Sequence, residues 1–210
     1  MAKITGLEAD PRRPGAVRVM VDGRLFCTVH EGAAGTAALA VGAEWTAERA
    51  ASAGRAADEE AAWRGVLTAL ERRSHAAPDL RRRLVRKGHP PDAADHAIRR
   101  ALAVGLLDDA LFARNYVESR AARGRGPARL RRDLAALGVA RAHIDAALAE
   151  QWSAPEDALA LAAALARKRA RQLAELPPEV RRRRLLAYLA RRGFTGPAVS
   201  GLVSGLLRGA

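Results

Sequence analysis

The chain has 210 residues, 49% hydrophobic and only 4% aromatic, which allows one or two domains packed on Leu, Val and Ala and excludes a disordered chain. Its formal charge of +13, carried by Arg everywhere except Lys3, Lys87 and Lys168, directs it to acidic partners such as nucleic acid or an acidic protein groove. One cysteine, Cys27, excludes an internal disulfide and a cysteine-based zinc site; with no membrane-length apolar run and no signal-peptide core, a cytoplasmic protein is expected.

Residues 1–55 read as a small β extension. Val17, Val19 and Val21 alternate with Arg18 and Met20, the period of a strand. Asp22-Gly23 then signals a two-residue hairpin turn. Leu25, Cys27 and Val29 alternate with Phe26, Thr28 and His30, so Cys27 is expected on one face with Leu25 and Val29, as a buried structural thiol. Ile4 to Glu8 supplies a third strand, with Pro11 to Gly15 as the intervening loop. Two short helices are expected near 31–39 and 46–53.

From about residue 58 the period becomes helical. Trp63, Val66, Leu67 and Leu70 fall on one helix face, and Val199, Leu202, Val203, Leu206 and Leu207 repeat that spacing. Gly88, Gly105, Gly138 and Gly193 sit where helices should end. Asp108 is placed as an N-cap, and Ser153 with Glu156 has the spacing of a capping box. Leu80, Leu84 and Gly88 recur as Leu130, Leu134 and Gly138, an offset of 50, and again as Leu185, Leu189 and Gly193. Six residues after each glycine stands an apolar residue, Ala94, Ile144 or Val199. Each motif follows a longer helix, near 58–74, 108–123 and 155–174. The pattern predicts a mainly α fold of three tandem three-helix repeats, elongated, over 56–106, 107–152 and 153–210.

The residues offer little for catalysis. Asp92 and His96 can share a helix face, beside His89 and Asp95, but no third metal ligand is fixed, so the segment reads as a solvated face. Asp108-Asp109 reads as a helix start meeting the dipole rather than an acid–base pair. No phosphate loop, Ser-His-Asp order or zinc-protease motif occurs. A non-enzymatic binding protein without metal or cofactor is expected.

The basic residues carry the binding signal. Residues 153–210 hold eleven basic against four acidic side chains. In the middle repeat Arg120, Arg123, Arg125, Arg129, Arg131 and Arg132 occur with no acid between 119 and 132. These six, with Arg181, Arg182, Arg184, Arg191 and Arg192, are the candidate contacts for a partner or nucleic acid. Of the run Arg181 to Arg184, not all can point one way on a helix.

Residues 105–148 also carry a family likeness. Gly105-Leu106-Leu107-Asp108-Asp109, Phe112-Ala113, Tyr116-Val117 and Arg120 are followed by Gly124-Arg125-Gly126-Pro127 and Arg129-Leu130. With Leu134, Gly138-Val139 and Ile144, they closely resemble the central signature of the RecX family, regulators of the RecA recombinase. The likeness extends more weakly over 56–104 and 155–207, and the N-terminal hairpin resembles an extension found in some members. Ala76 stands where the family often has a capping Ser, and Asp133 where Glu is commoner. The resemblance implies tandem three-helix repeats, no catalytic residues, and a place in recombinational DNA repair and the SOS response. It implies binding to the RecA–single-stranded-DNA filament, with loss of its ATPase and strand exchange. A monomer is expected, and the arginine excess predicts weak DNA binding with steep salt dependence and little sequence preference. The alternative is a non-specific single-stranded-DNA-binding protein that competes with RecA, which would need exposed aromatic rings for stacking.

Overall fold

A computed structural model describes residues 1–36 and 38–208. The chain forms two compact units, Met1–Leu107 and the residues from Asp108 onward. Three antiparallel strands open the first unit: β1 (Ile4–Ala9), β2 (Ala16–Val21) and β3 (Arg24–His30), in that spatial order. Asp22 and Gly23 both adopt positive φ, 47° and 77°, the geometry of the tight hairpin turn that Asp-Gly favours.

Val19 and Val29 are fully buried, but Leu25 is 50% exposed. The cause is a bulge. Val19 pairs with Cys27 while the next residue, Met20, pairs with Leu25, so Phe26 is the extra residue. A bulge breaks the two-residue alternation, and Leu25 leaves the face it was expected to share with Cys27 and Val29. Phe26 instead sets its ring edge-on to Trp45, 4.8 Å away.

After α1 (Glu31–Thr36), α2 runs unbroken from Ala47 to Leu70. The sequence suggested one helix near 46–53 and another near 58–74. The alanine-rich stretch between them has high helix propensity and outweighs the cost of Gly54, about 1 kcal/mol relative to Ala. Thr46 caps the start, its Oγ1 accepting the Arg49 N–H at 3.2 Å. The expected boundary at residue 55 therefore falls inside α2. Ala53 of this helix packs with Ile4, Val19 and Val29 under the sheet, while Ala62 and Val66 join the core of the first repeat.

That repeat is completed by α3 (Ala77–Arg86) and α4 (Pro91–Ala103). The second unit holds α5 (Asp109–Ala121), α6 (Pro127–Ala136) and α7 (Arg141–Gln151), then α8 (Pro155–Arg171), α9 (Pro178–Arg192) and α10 (Pro197–Arg208). The mainly α fold of three three-helix repeats behind a three-stranded N-terminal sheet is thus present. Leu80 and Leu84, Leu130 and Leu134, Leu185 and Leu189 are all buried, as are Ala94, Ile144 and Val199. Gly88, Gly105, Gly138 and Gly193 all take positive φ at helix ends, where a side chain would be strained.

One helix start differs from expectation, that of α8. Asp108 caps α5 as expected, Oδ1 accepting the Leu111 N–H at 2.9 Å. The Ser153–Glu156 box does not form; the helix begins one residue later, with Asp157 accepting the N–H of Ala154 at 2.9 Å. Ala76 gives α3 no side-chain cap, and Pro78 stands in the first turn instead, where its missing N–H costs nothing. Among the described residues no helix is long and apolar enough to cross a membrane.

Candidate functional site

The arginine-rich segment 119–132 joins α5 to α6, and most of its members are engaged within the chain. Arg125 and Arg129 both reach Asp133, at 2.8 and 2.9 Å. Arg131 forms an ion pair with Asp145 across α6 and α7, and Arg141 reaches the same carboxylate at 3.3 Å. The Arg131 hydrogen bond, helped by its charge and by Arg141, holds the Asp145 carboxyl below its ordinary pKa. Arg132 donates to the Ala128 carbonyl at 3.3 Å, and Arg120 lies over the Tyr116 ring. Arg123 is exposed.

The Arg131–Asp145 pair has a counterpart 50 residues earlier. Arg81 on α3 pairs with Asp95 on α4 and lowers that carboxyl's pKa, chiefly through the hydrogen bond. The positions that follow in the third repeat are Leu186 and Ser200. That repeat has replaced the surface ion pair by an apolar residue packed on its core. Asp95 is thus engaged by Arg81, and His96 by Glu59 at 3.0 Å. Among the described residues no His, Cys, Asp or Glu cluster has the arrangement of a metal site.

The loop before α6 also joins the second repeat to the third. The Gly126 N–H donates to the Arg192 carbonyl at 2.7 Å, and the Ala128 N–H to the Gly193 carbonyl at 3.2 Å. Arg192 turns back to donate to the carbonyls of Arg123 and Gly124, each at 3.2 Å, with its guanidinium 4.8 Å from the Tyr188 ring centre. The approach is close enough that a Cβ on Gly126 would lie 2.8 Å from the Gly193 oxygen and from Phe194. A Cβ on Gly193 would lie 2.4 Å from the Arg129 nitrogen. The Gly124-Arg125-Gly126-Pro127 stretch is therefore a clasp between repeats. Sequence reasoning missed this, because the partners are nearly 70 residues apart and Gly126 has an ordinary φ of −89°, leaving no local signal.

The other predicted arginines lie on α9. Arg181 is half-buried and points back to the Ala174 carbonyl, at 3.5 Å. Arg182, Arg184 and Arg191, with Arg183 beside them, are exposed and pair with no carboxylate among the described residues. Of the eleven candidates, Arg125, Arg129, Arg131 and Arg192 hold the second unit together, Arg120, Arg132 and Arg181 touch groups near them in the chain, and Arg123, Arg182, Arg184 and Arg191 are left exposed to solvent.

Two family models match the chain: the second three-helix domain of RecX over residues 108–148, and the third over 156–201. A regulatory protein RecX of Halorhodospira halophila is 40% identical over 146 residues, 68% of this chain and 86% of that protein. Another, from Pseudomonas fluorescens, is 35% identical over 150 residues, 68% of this chain and 89% of its own length. The chain belongs to the RecX family. A crystal structure of a regulatory protein RecX superposes with a TM-score of 0.79 at 25% identity, covering all of both chains. The RecX of Lactobacillus salivarius shares the fold, with a TM-score of 0.62 at 17% identity over 71% of this chain and 96% of that one. The clasp and the α9 face both fall within the two matched RecX domains.

Proposed function

We propose that this RecX protein regulates RecA by binding the RecA–single-stranded-DNA filament and suppressing its ATPase and strand exchange. It does so in the cytoplasm, as a monomer, without catalytic chemistry of its own. The observation that carries this reading is the exposed arginines of α9, where Arg182, Arg183, Arg184 and Arg191 pair with no carboxylate among the described residues, in a chain of RecX descent. Arginine forks suit carboxylates and phosphates alike, and an excess of one charge speeds docking on a surface of the other. Arg120, Arg123 and Arg132 extend the candidate contact on the same unit.

The competing reading is a protein that takes single strands away from RecA. Such proteins stack bases on free aromatic faces. Here Tyr188 carries Arg192, Tyr116 carries Arg120, and Trp63 carries Arg100 at 4.1 Å, which favours docking on the filament instead. DNA alone is then bound weakly and with steep salt dependence.

Co-sedimentation tests both readings. The protein should pellet with RecA–single-stranded-DNA filaments at a salt concentration that releases it from naked DNA, and should not bind free RecA comparably. Arg182→Glu, Arg184→Glu and Arg191→Glu together should remove filament binding and ATPase inhibition with helical content unchanged. Equal retention on naked DNA and filaments would favour the single-strand competitor. Full inhibition by the triple variant would move the contact off α9.

A further inference from the structure

Two cavities of about 910 and 430 Å³ lie side by side in the second unit. Pro127 and Arg131 of α6 and Ala158 of α8 line both, so the two form one trough. Val139, with Ile144, Leu148 and Trp152, walls the larger lobe, and Leu159, Phe194 and Val199 wall the smaller. Ala135 and Ala149 on the larger lobe are exposed. Trp45 and Trp63 are covered by Phe26 and Arg100, but among the described residues no cation or second ring lies over Trp152. Charge is uneven along the trough. In the larger lobe Arg131 and Arg141 share the one carboxylate of Asp145, which leaves that lobe net positive, and the Arg141 side chain is 90% exposed. In the smaller lobe Glu156 faces the same Arg131.

An open apolar trough with a charged rim marks a place where a partner is bound. We propose that this one is a docking groove for an amphipathic helix of a partner protein, whose carboxylates lie toward Arg131 and Arg141 and away from Glu156. The apolar face of such a helix fills both lobes with anchors one and two turns apart, and Trp152 supplies a broad flat contact for one of them. The guanidinium N–H groups that Asp145 does not occupy remain free to donate to the incoming carboxylates. An extended peptide fits less well, because the walls are largely helices whose backbone groups are already paired, and it would gain no strand ladder. Single-stranded DNA fits less well too. Asp145 and Glu156 would face its phosphates, and the trough offers no continuous cationic track. The groove does not rest on the filament reading, and either can fail alone.

Fluorescence polarisation with the full chain tests the groove. The probe is a labelled helical peptide of about twelve residues, with Leu along one face and Glu confined to one end. A scrambled peptide of the same composition controls for attraction by net charge, and a third peptide carries Lys in place of Glu. The amphipathic Glu peptide should bind about tenfold or more tighter than its scrambled form. Ala149→Glu, which sets an unpaired charge on an exposed groove wall, should reduce it to the scrambled level, with circular dichroism unchanged. Arg141→Glu should weaken the Glu peptide and tighten the Lys peptide, each about fivefold or more, a reversal that lost packing alone would not produce. Equal binding of the scrambled peptide, undiminished binding by folded Ala149→Glu, or an unchanged charge preference in Arg141→Glu overturns the proposal. If Ala149→Glu does not fold, undiminished binding by Arg141→Glu does so. Oligothymidylate binding should be the same in wild type and Ala149→Glu; a loss as large as that of the peptide would assign the groove to single strands instead. Self-association in sedimentation that Ala149→Glu abolishes would assign it to a second copy, and either result overturns the helix assignment.

Discussion

The clasp between the second and third repeats can be tested through three glycines of the same unit. Gly126 has φ −89° and would tolerate any residue on backbone grounds, yet its Cβ would meet the Gly193 oxygen and Phe194 at 2.8 Å. Gly196 has φ +105° but nothing within 4 Å of its Cβ position, and Gly193 combines φ +93° with an approach of 2.4 Å to the Arg129 nitrogen. Gly196→Ala therefore reports left-handed backbone strain alone, about 1–2 kcal/mol. Gly126→Ala reports overpacking of about 1–3 kcal/mol, plus about 1 kcal/mol if the 2.7 Å hydrogen bond to Arg192 is lost. Gly193→Ala carries both effects and should be the most damaging of the three. Urea denaturation followed by circular dichroism would give the order, with the denaturant slope as a check that the transition stays cooperative. A Gly126→Ala variant within about 0.5 kcal/mol of wild type, the range of an ordinary surface substitution, or a Gly193→Ala variant no worse than Gly196→Ala, would refute the close approach.

Two further expectations concern pH and one concerns thiol chemistry. Asp95 and Asp145 have folded-state pKa values lowered from 3.8 by Arg81 and Arg131. Their contribution to stability is full above that value and is lost as pH falls through the lowered one. In acid denaturation Asp95→Asn and Asp145→Asn should differ from wild type at neutral pH and converge with it at low pH; a constant gap would contradict the pairing. His75 is buried, and burial, with Arg73 nearby, lowers its pKa from 6.5. Folding holds it neutral, so this contribution is full above pH 6.5 and declines as pH falls; His75→Gln should flatten the stability profile there. Burial raises the Cys27 thiol to about 11, so thiol reagents at pH near 8 should modify it slowly until the chain unfolds; rapid modification of native protein would show an open site.

Much of this protein was legible in sequence because its determinants are local. The three Leu-x-x-x-Leu-x-x-x-Gly motifs place two buried leucines and a positive-φ glycine on the same helix and its end, and both requirements act within ten residues. The Asp22-Gly23 turn and the Asp108 cap are local in the same way. The arginine clusters were equally visible as composition. What each guanidinium touches was not, because that depends on which distant backbone stands opposite it. Asp133 between Arg125 and Arg129, and the Gly126 and Gly193 backbones in mutual contact, exist only once the second and third repeats have packed. The bulge at Phe26 likewise arises from strand pairing, and it put Leu25 on the wrong side of the sequence reading. Local periodicity fixed where helices and their buried faces lie; tertiary packing decided that the family signature acts as a clasp and that the unmatched charge is left on α9.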